Sequence, residues 1–580
     1  MKSKIFFCTT FCIAFSLNSP LQAQNKNEGF GNPLPQSSSI SAVFGEPRNN
    51  HFHSGIDFRT NRDTGMVVIA PYDGWITRIK VGYTGYGNAL YLDHRNGYST
   101  VYGHLERFAP VVEKFIEDCR YISQKNDLEE FPDNERLCVK KGDTIAYSGN
   151  TGGSTGPHLH YEIRRTKTQN PIDPIASGLY SLPDNIAPEI SKLIIYDVVE
   201  IDGSYFYRRF SALKVHKEKA GVYSVNTDGI NALPKNIAFG IMAEDRINDQ
   251  RGTFAIAATT LRINGIEHFA YIINEFSYTE TRFANAFIDY AAKKEKFGEI
   301  VKLFSESNCP LSIYEKNVNN GTVAVDTNKK TLFEINTMDH NGNETFLRFS
   351  LASKRTTASL LPSISNPDRM TIALPTAQSQ LHHRGVKVTI PAKALYGPSV
   401  VEIRDSDLIG LQAISRSFSI GPNTIPLQKA IKIEVNLGAM GVNTMDRIYL
   451  ARLQGAKGIA FIGNAINDST IVADTREFGT FAVARDTTPP LIKTKNFVDG
   501  EVVSDQKYLF FEIDDLGSGI AGFQAYIDNE WAAIDYEPKE KTLRYKLRSN
   551  RVQPGISHII RVVCNDNTGN VSEVITNFIW

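Results

Sequence analysis

The sequence predicts a mainly β chain, an antiparallel β-sheet domain near the N-terminus followed by several β-sandwich units of immunoglobulin-like type. Three observations predict it. Stretches of alternating apolar and polar residues such as "NALYLDHRNGYSTVYGHL" are bounded throughout by Gly, Pro and Asn turns. Inside that stretch Asn96-Gly97 is a two-residue hairpin signal. The chain also restarts twice in the same manner, at "PDNIAPEISKLIIYDV" and at "RDTTPPLIKTKNF". Each restart leads to a D-x-x-G-N turn and an apolar strand, at Asp339 and at Asp566, as expected of two divergent copies of one sandwich.

Taken in order, residues 1–23 read as an export signal. Lys2 and Lys4 precede an apolar run from Ile5 to Leu17, and Ala23 follows as a small residue before a cut. No later segment is apolar for long enough to span a bilayer, so no membrane span is expected after the signal is removed; the expected location is the periplasm or cell envelope, with secretion as the alternative. Residues 24–183 form the first domain, opening on a polar Pro/Ser-rich lead-in to about residue 40. Residues 184–355 form a β-sandwich with a large insert, in which "FANAFIDYAAKKEKFGEIVKLF" is the best helix candidate. Residues 356–486 make a β-rich middle domain and 487–580 the last sandwich. A chain of 580 residues suits about four such domains.

The 63 basic and 63 acidic residues cancel, which gives no electrostatic reason to expect a nucleic-acid partner. Beyond residue 23 the cysteines are Cys119, Cys138, Cys309 and Cys564, too few for a disulfide scaffold. Cys119 and Cys138 flank a polar insert at about 115–137 that lengthens the first domain. An oxidising compartment can join them, and two separate thiols are the alternative.

Six polar residues of the first domain are candidates to carry chemistry. "NHFHSGIDF" packs His51, His53 and Asp57 around one glycine, "YGHL" contains His104, and "GPHLHYEIR" contains His158 and His160. Side chains at i and i+2 of a strand share a face, so His158 and His160 project together while Leu159 turns into the core. Imidazoles and a carboxylate suit zinc, whose ligands sit at about 2.0–2.2 Å with one position left for water. These residues alone do not decide between His51 and His53.

H-x-x-x-D, then Y-x-H-L, then "SGNTGGSTGPHLHYEI" resembles the lysostaphin-type (LytM-like) zinc metallopeptidases, the peptidoglycan endopeptidases, over roughly residues 40–175. The resemblance implies an antiparallel sheet of the duplicated hybrid motif type. It also implies one zinc ion held by His53, Asp57 and His160, with His104 and His158 as catalytic histidines that do not bind the metal. His51 falls outside the pattern. The implied activity is zinc-dependent hydrolysis of the peptide stems of the bacterial wall. A silent regulator of another wall hydrolase and an adhesion or assembly protein are the competing expectations, with envelope proteins as partners of the β-domains. Where some family members carry a tyrosine before the first ligand, this chain has "FGEPRNN", which makes Glu46 and Arg48 candidate substitutes. Glu162, on the face of His158 and His160, is a candidate to orient a ligand imidazole. With all five site residues in the first domain, a fragment ending near Leu182 is expected to keep the chemistry, and the 115–137 insert is a candidate cover for the cleft.

Overall fold

The computed structural model describes residues 29–133, 136–327, 329–352, 355–359, 364–408, 410, 412–455, 458–548 and 551–580. The expected export signal, residues 1–23, lies outside the described residues. The chain is mostly β, and no helix among the described residues is long and apolar enough to cross a membrane.

The first domain is built on a nine-stranded antiparallel sheet. At its centre, strand His158–Arg165 lies between Ile56–Arg59 and Tyr98–Gly103. Beyond these run Ala89–Asp93 and Gly74–Val81. The Asn96-Gly97 hairpin forms as expected between Ala89–Asp93 and Tyr98–Gly103, with Gly97 at φ +86°. Leu159 and Tyr161 point away from the histidines into a core with Phe58, Leu90 and Tyr102. A small second sheet, Val67–Ile69, Thr144–Tyr147 and Arg107–Phe108, packs beside it.

The insert is where expectation and structure part. Pro110–Ser123 is the longest helix among the described residues, with Pro at its first turn and a left-handed Gln124 ending it. Its buried face is Val112, Ile116 and Arg120. It packs against residues 487–580: Arg120 pairs with Asp535 at 3.0 Å, and Tyr121 meets the edge of Trp531. None of the described insert residues lines the cleft, so the insert docks a downstream unit and does not cover the site. Cys119 lies on this helix and Cys138 on a short strand, as separate thiols. The long helix expected at 283–304 is two short pieces, Ala284–Phe287 and Tyr290–Lys294. Ile288 turns extended between them, Asp289 caps the second piece, and the chain then joins the sheet at Val301–Lys302.

Residues 189–351 form one eleven-stranded sheet whose layers are joined by the long strand Ser204–Lys219. Its first part pairs with Glu189–Ile201 and its last with Val222–Val225. Residues 370–485 form paired sheets of six and five strands, and residues 491–579 paired sheets of four and five. The units share side chains: Phe44 and Phe52 of the first domain are buried in the core of the second unit, against Phe276 and Phe287.

Candidate functional site

His53, Asp57 and His160 come together because the sheet register sets Asp57 opposite His160 in neighbouring strands. His53 enters from the preceding turn. Gly55 makes that turn possible, since a Cβ there would lie 2.0 Å from the Tyr161 carbonyl oxygen. His53 Nε2 is 3.0 Å from Asp57 Oδ1 and 3.0 Å from His160 Nδ1, and His160 Nδ1 is 2.9 Å from the same Oδ1. All three residues are buried.

The outer hydrogen bonds fix both imidazoles. His53 Nδ1 donates to the Val43 carbonyl at 2.6 Å, so its Nε2 carries the lone pair. His160 Nε2 donates to Glu162 Oε1 at 2.8 Å, so its Nδ1 carries the other. Two nitrogen lone pairs and a carboxylate oxygen thus face one another at about hydrogen-bond distance with no proton of their own. The set needs a cation, and its donors are those of a zinc site. Without a metal a proton does that work. Burial pushes His160 down, but its hydrogen bonds to Asp57 and Glu162 outweigh it and hold the imidazolium up to about 9. Burial pushes His53 down to about 4. Burial alone would raise Asp57, yet His53 and His160 keep its carboxyl well below the usual range.

His158 and His104 stand beside this trio. His158 Nδ1 donates to the Gly156 carbonyl at 2.8 Å, and its Nε2 is buried with no hydrogen-bond partner, 3.6 Å from Asp57 Oδ1. His104 follows strand Tyr98–Gly103 at φ +60° and donates Nδ1–H to the Thr151 carbonyl at 2.8 Å. Their ring centroids are 4.7 Å apart. Burial is the main cause lowering both, His104 to about 3, so both imidazoles are neutral bases near pH 7.

Glu162, fully buried, holds the assembly from behind. Its Oε1 accepts from His160, from Ser54 at 2.6 Å and from Tyr86 at 2.6 Å. Its Oε2 accepts from Arg164 Nε at 2.6 Å and from the Tyr278 hydroxyl at 2.8 Å. Burial alone would raise this carboxyl, but Arg164 and His160 keep it below the usual range. Arg48 donates to Asp57 Oδ2 at 2.8 Å, leaving Oδ1 for the histidines. Burial pushes Glu46 up to about 7. His51 stays outside the trio, its Nδ1 on the Asn49 carbonyl.

Sequence reasoning missed Tyr86, Ser54, Arg164 and Tyr278. Arg164 had a signal, being two residues beyond Glu162 on the same strand face. Tyr278 had none, because it comes from the second unit. The last unit also reaches the site: Lys539 Nζ donates to the carbonyls of Asn150 and Gly152, on either side of the Thr151 that holds His104. Gly152 needs φ +74° there, and a Cβ would lie 2.3 Å from the Gly87 amide nitrogen.

The cleft in front of these groups measures about 1240 Å³. Arg48, Arg59, Arg62 and Arg251 line it.

Residues 51–127 and 119–174 match the sequence model of Peptidase family M23, and residues 373–486 that of a Zu5-like domain. Over 159 residues the chain is 32% identical to an uncharacterized metalloprotease of Haemophilus influenzae, covering 26% of this chain and 28% of that one. It is 36% identical over 127 residues to the DD-carboxypeptidase/endopeptidase Mpg of Neisseria meningitidis, covering 22% and 23%. It is 31% identical over 135 residues to the peptidoglycan DD-endopeptidase ShyB of Vibrio cholerae, covering 22% and 25%. The chain spans about a quarter of the length of these relatives.

Proposed function

The stretch from residue 51 to residue 174 is a Peptidase family M23 domain, and from that premise we propose that this chain is an exported zinc endopeptidase that cuts the peptide cross-links of peptidoglycan. The observation that carries the reading is the convergence of two imidazole lone pairs and a carboxylate beside two neutral histidines whose Nδ1–H groups are already spent on backbone carbonyls. His53, Asp57 and His160 would hold the metal. A bound zinc ion supplies Lewis acidity at the scissile carbonyl and acidifies water toward a pKa of about 7.

The chain's own residues do the rest. His158 Nε2, buried and without a hydrogen-bond partner in the protein, would accept one proton from the attacking water, while His104 accepts only a hydrogen bond from the remaining O–H and fixes its direction. As an imidazolium, His158 then returns a proton to the leaving amine. Glu162 keeps His160 in the tautomer that turns Nδ1 inward. The arginines along the cleft suit stem peptides that end in carboxylates. The relatives named for peptidoglycan and DD-endopeptidase activity support this substrate class.

The test is digestion of purified sacculi by the mature zinc-loaded protein, with mass analysis of the released fragments. Cleaved cross-links are expected. His158→Ala is expected to keep its zinc while losing about 10²–10⁴-fold in turnover. A folded, zinc-loaded protein that releases nothing from sacculi or soluble cross-linked muropeptides defeats the reading.

A further inference from the structure

The two D-x-x-G-N turns bring together two acidic clusters, one at each restart of the chain, each with two buried residues and one half-buried. Asp184, Asp245 and Asp339 meet where the first domain passes into the second, and Asp486, Asp515 and Asp566 where the third passes into the last. In each, one oxygen from every carboxylate lies within 4.8 Å of the others. The clusters are built alike: Asp339 Oδ1 accepts from Asn343 N and Oδ2 from Asn343 Nδ2, while Asp566 Oδ1 accepts from Asn570 N and Oδ2 from Asn570 Nδ2.

Their charge balance differs at one position. The residue after Asp339 is His340, fully buried, with Nδ1 2.5 Å from Asp173 Oδ2. Burial pushes this imidazole down, but Asp173, Asp245 and Asp339 outweigh it and raise it above its ordinary range. The first cluster therefore has beside it an imidazole whose protonation its carboxylates and Asp173 favour. The residue after Asp566 is Asn567, and the charges acting on Asp515 are those of Asp486 and Asp566. Two buried polar atoms there lack partners, as Asp245 Oδ1 and His340 Nε2 do in the first cluster. Asn570, 1% exposed, spends its Nδ2 on Asp566 Oδ2 at 2.6 Å and on the Asp486 carbonyl at 3.0 Å, yet its Oδ1 accepts nothing. Ser518, 2% exposed, donates its amide to Asp486 Oδ2 at 2.7 Å and leaves Oγ unpaired. Three carboxylates, a carboxamide oxygen and a hydroxyl are all hard oxygen ligands.

We propose that Asp486, Asp515 and Asp566, with Asn570 Oδ1 and Ser518 Oγ, form a binding site for a calcium-class divalent cation at the junction of the last two units. Each Ca–O distance is about 2.3–2.6 Å, so any two oxygens of a calcium shell lie within about 5.2 Å of each other, and the three carboxylates, all within 4.8 Å, meet that limit. Magnesium demands a tighter octahedron and keeps its waters, so calcium is the better match. The site pins the linker: Asp486 directly follows strand Gly479–Arg485, and its carbonyl already accepts from Thr568 and Asn570 of the last unit. Because that unit places Lys539 on the loop beside His104, the cation fixes the frame that holds the loop.

The test uses the full mature zinc-loaded chain and calcium alone as probe, by equilibrium dialysis against radioactive calcium. One calcium per chain is expected, with an affinity that falls at least about tenfold in Asp515→Asn and is unchanged in Asp245→Asn. Tryptic cleavage at Arg485, which needs no variant, is expected to slow when calcium is added and not when magnesium replaces it. A wild-type protein that binds no calcium, or that binds it without protecting Arg485, overturns the proposal. Calcium binding that survives intact in a folded Asp515→Asn protein does the same.

Discussion

Replacing Glu162 by glutamine tests how far the buried carboxylate, as distinct from the metal ligands, makes the centre. Five donors converge on it, three on Oε1 and two on Oε2. Glutamine has one acceptor oxygen, so its NH₂ must face either Arg164 and Tyr278 or His160. Facing Arg164, it strips the counter-charge from a guanidinium whose side chain is 6% exposed. Facing His160, it meets an N–H with an N–H and favours the tautomer that turns a proton inward. Breaking a buried pair from one side costs about 3–5 kcal/mol. Glutamine keeps part of the hydrogen bonding, so about 3 kcal/mol is the expected loss, or about 6–12 °C in Tm for a unit of this size. Losing the group that orients a ligand imidazole weakens zinc binding about 10–100-fold. Differential scanning calorimetry and zinc competition against a chelator read the two effects separately. The double variant Glu162→Gln/Arg164→Met is expected to recover Tm in part without recovering zinc affinity, because it removes the stranded charge but not the tautomer problem. A Glu162→Gln protein that binds zinc within about twofold of the wild type refutes the argument, since a tenfold loss is its lower bound.

Other outcomes follow from the same geometry. Lys539→Met is expected to lower kcat on a soluble muropeptide with zinc content unchanged, because a loop shift of about 1 Å costs about 10²-fold at most in such sites; unchanged turnover refutes the clamp. His340, raised in the fold, adds stability that is complete below its unfolded pKa of about 6.5 and is lost as pH rises through the folded value. Asp245 and Glu46, raised to about 7 chiefly by burial, and metal-free His160, raised to about 9, fall off in the same direction, so the share of His340 is the part of the decline that its substitution removes. His340→Asn is expected to flatten that decline. A fragment ending near Leu182 is now expected to lose stability and turnover together: it exposes Phe44 and Phe52, worth about 1.5–3 kcal/mol each, and lacks Tyr278. A soluble, fully active fragment shows the downstream contacts to be dispensable.

The site was legible where its logic is local. The family resemblance chose His53 over His51 as the partner of Asp57, and the two-residue period of a strand put His158, His160 and Glu162 on one face. What the sequence could not yield was reach across the chain. Tyr278 lies 116 residues from Glu162, and Lys539 lies 387 residues from Gly152. The helix Pro110–Ser123 was hidden for a related reason. One of the positions on its buried face is Arg120, which is buried only because Asp535 and the Ile534 carbonyl receive it, so the apolar stripe that marks a helix is interrupted. The false helix at 283–304 had good local propensity, but the sheet took its last residues, and tertiary pairing decided.

The restarts at Pro188 and Pro489 suggest separable units, and the hydrogen bonds argue against that independence. A unit that only tethers an enzyme needs no bond to groups that hold the reacting residues. Here the second unit supplies a donor to the carboxylate that sets the His160 tautomer, and the last supplies a cation to the carbonyls flanking the His104 support. Each bond is modest alone, about 1–3 kcal/mol where a charge is involved. Their effect is larger because both act on orientation, and orientation enters the rate exponentially while it enters stability only once. On the proposed function the downstream β-units therefore belong to the catalytic apparatus, and removing them is expected to change where the histidines point before it changes whether the sheet folds.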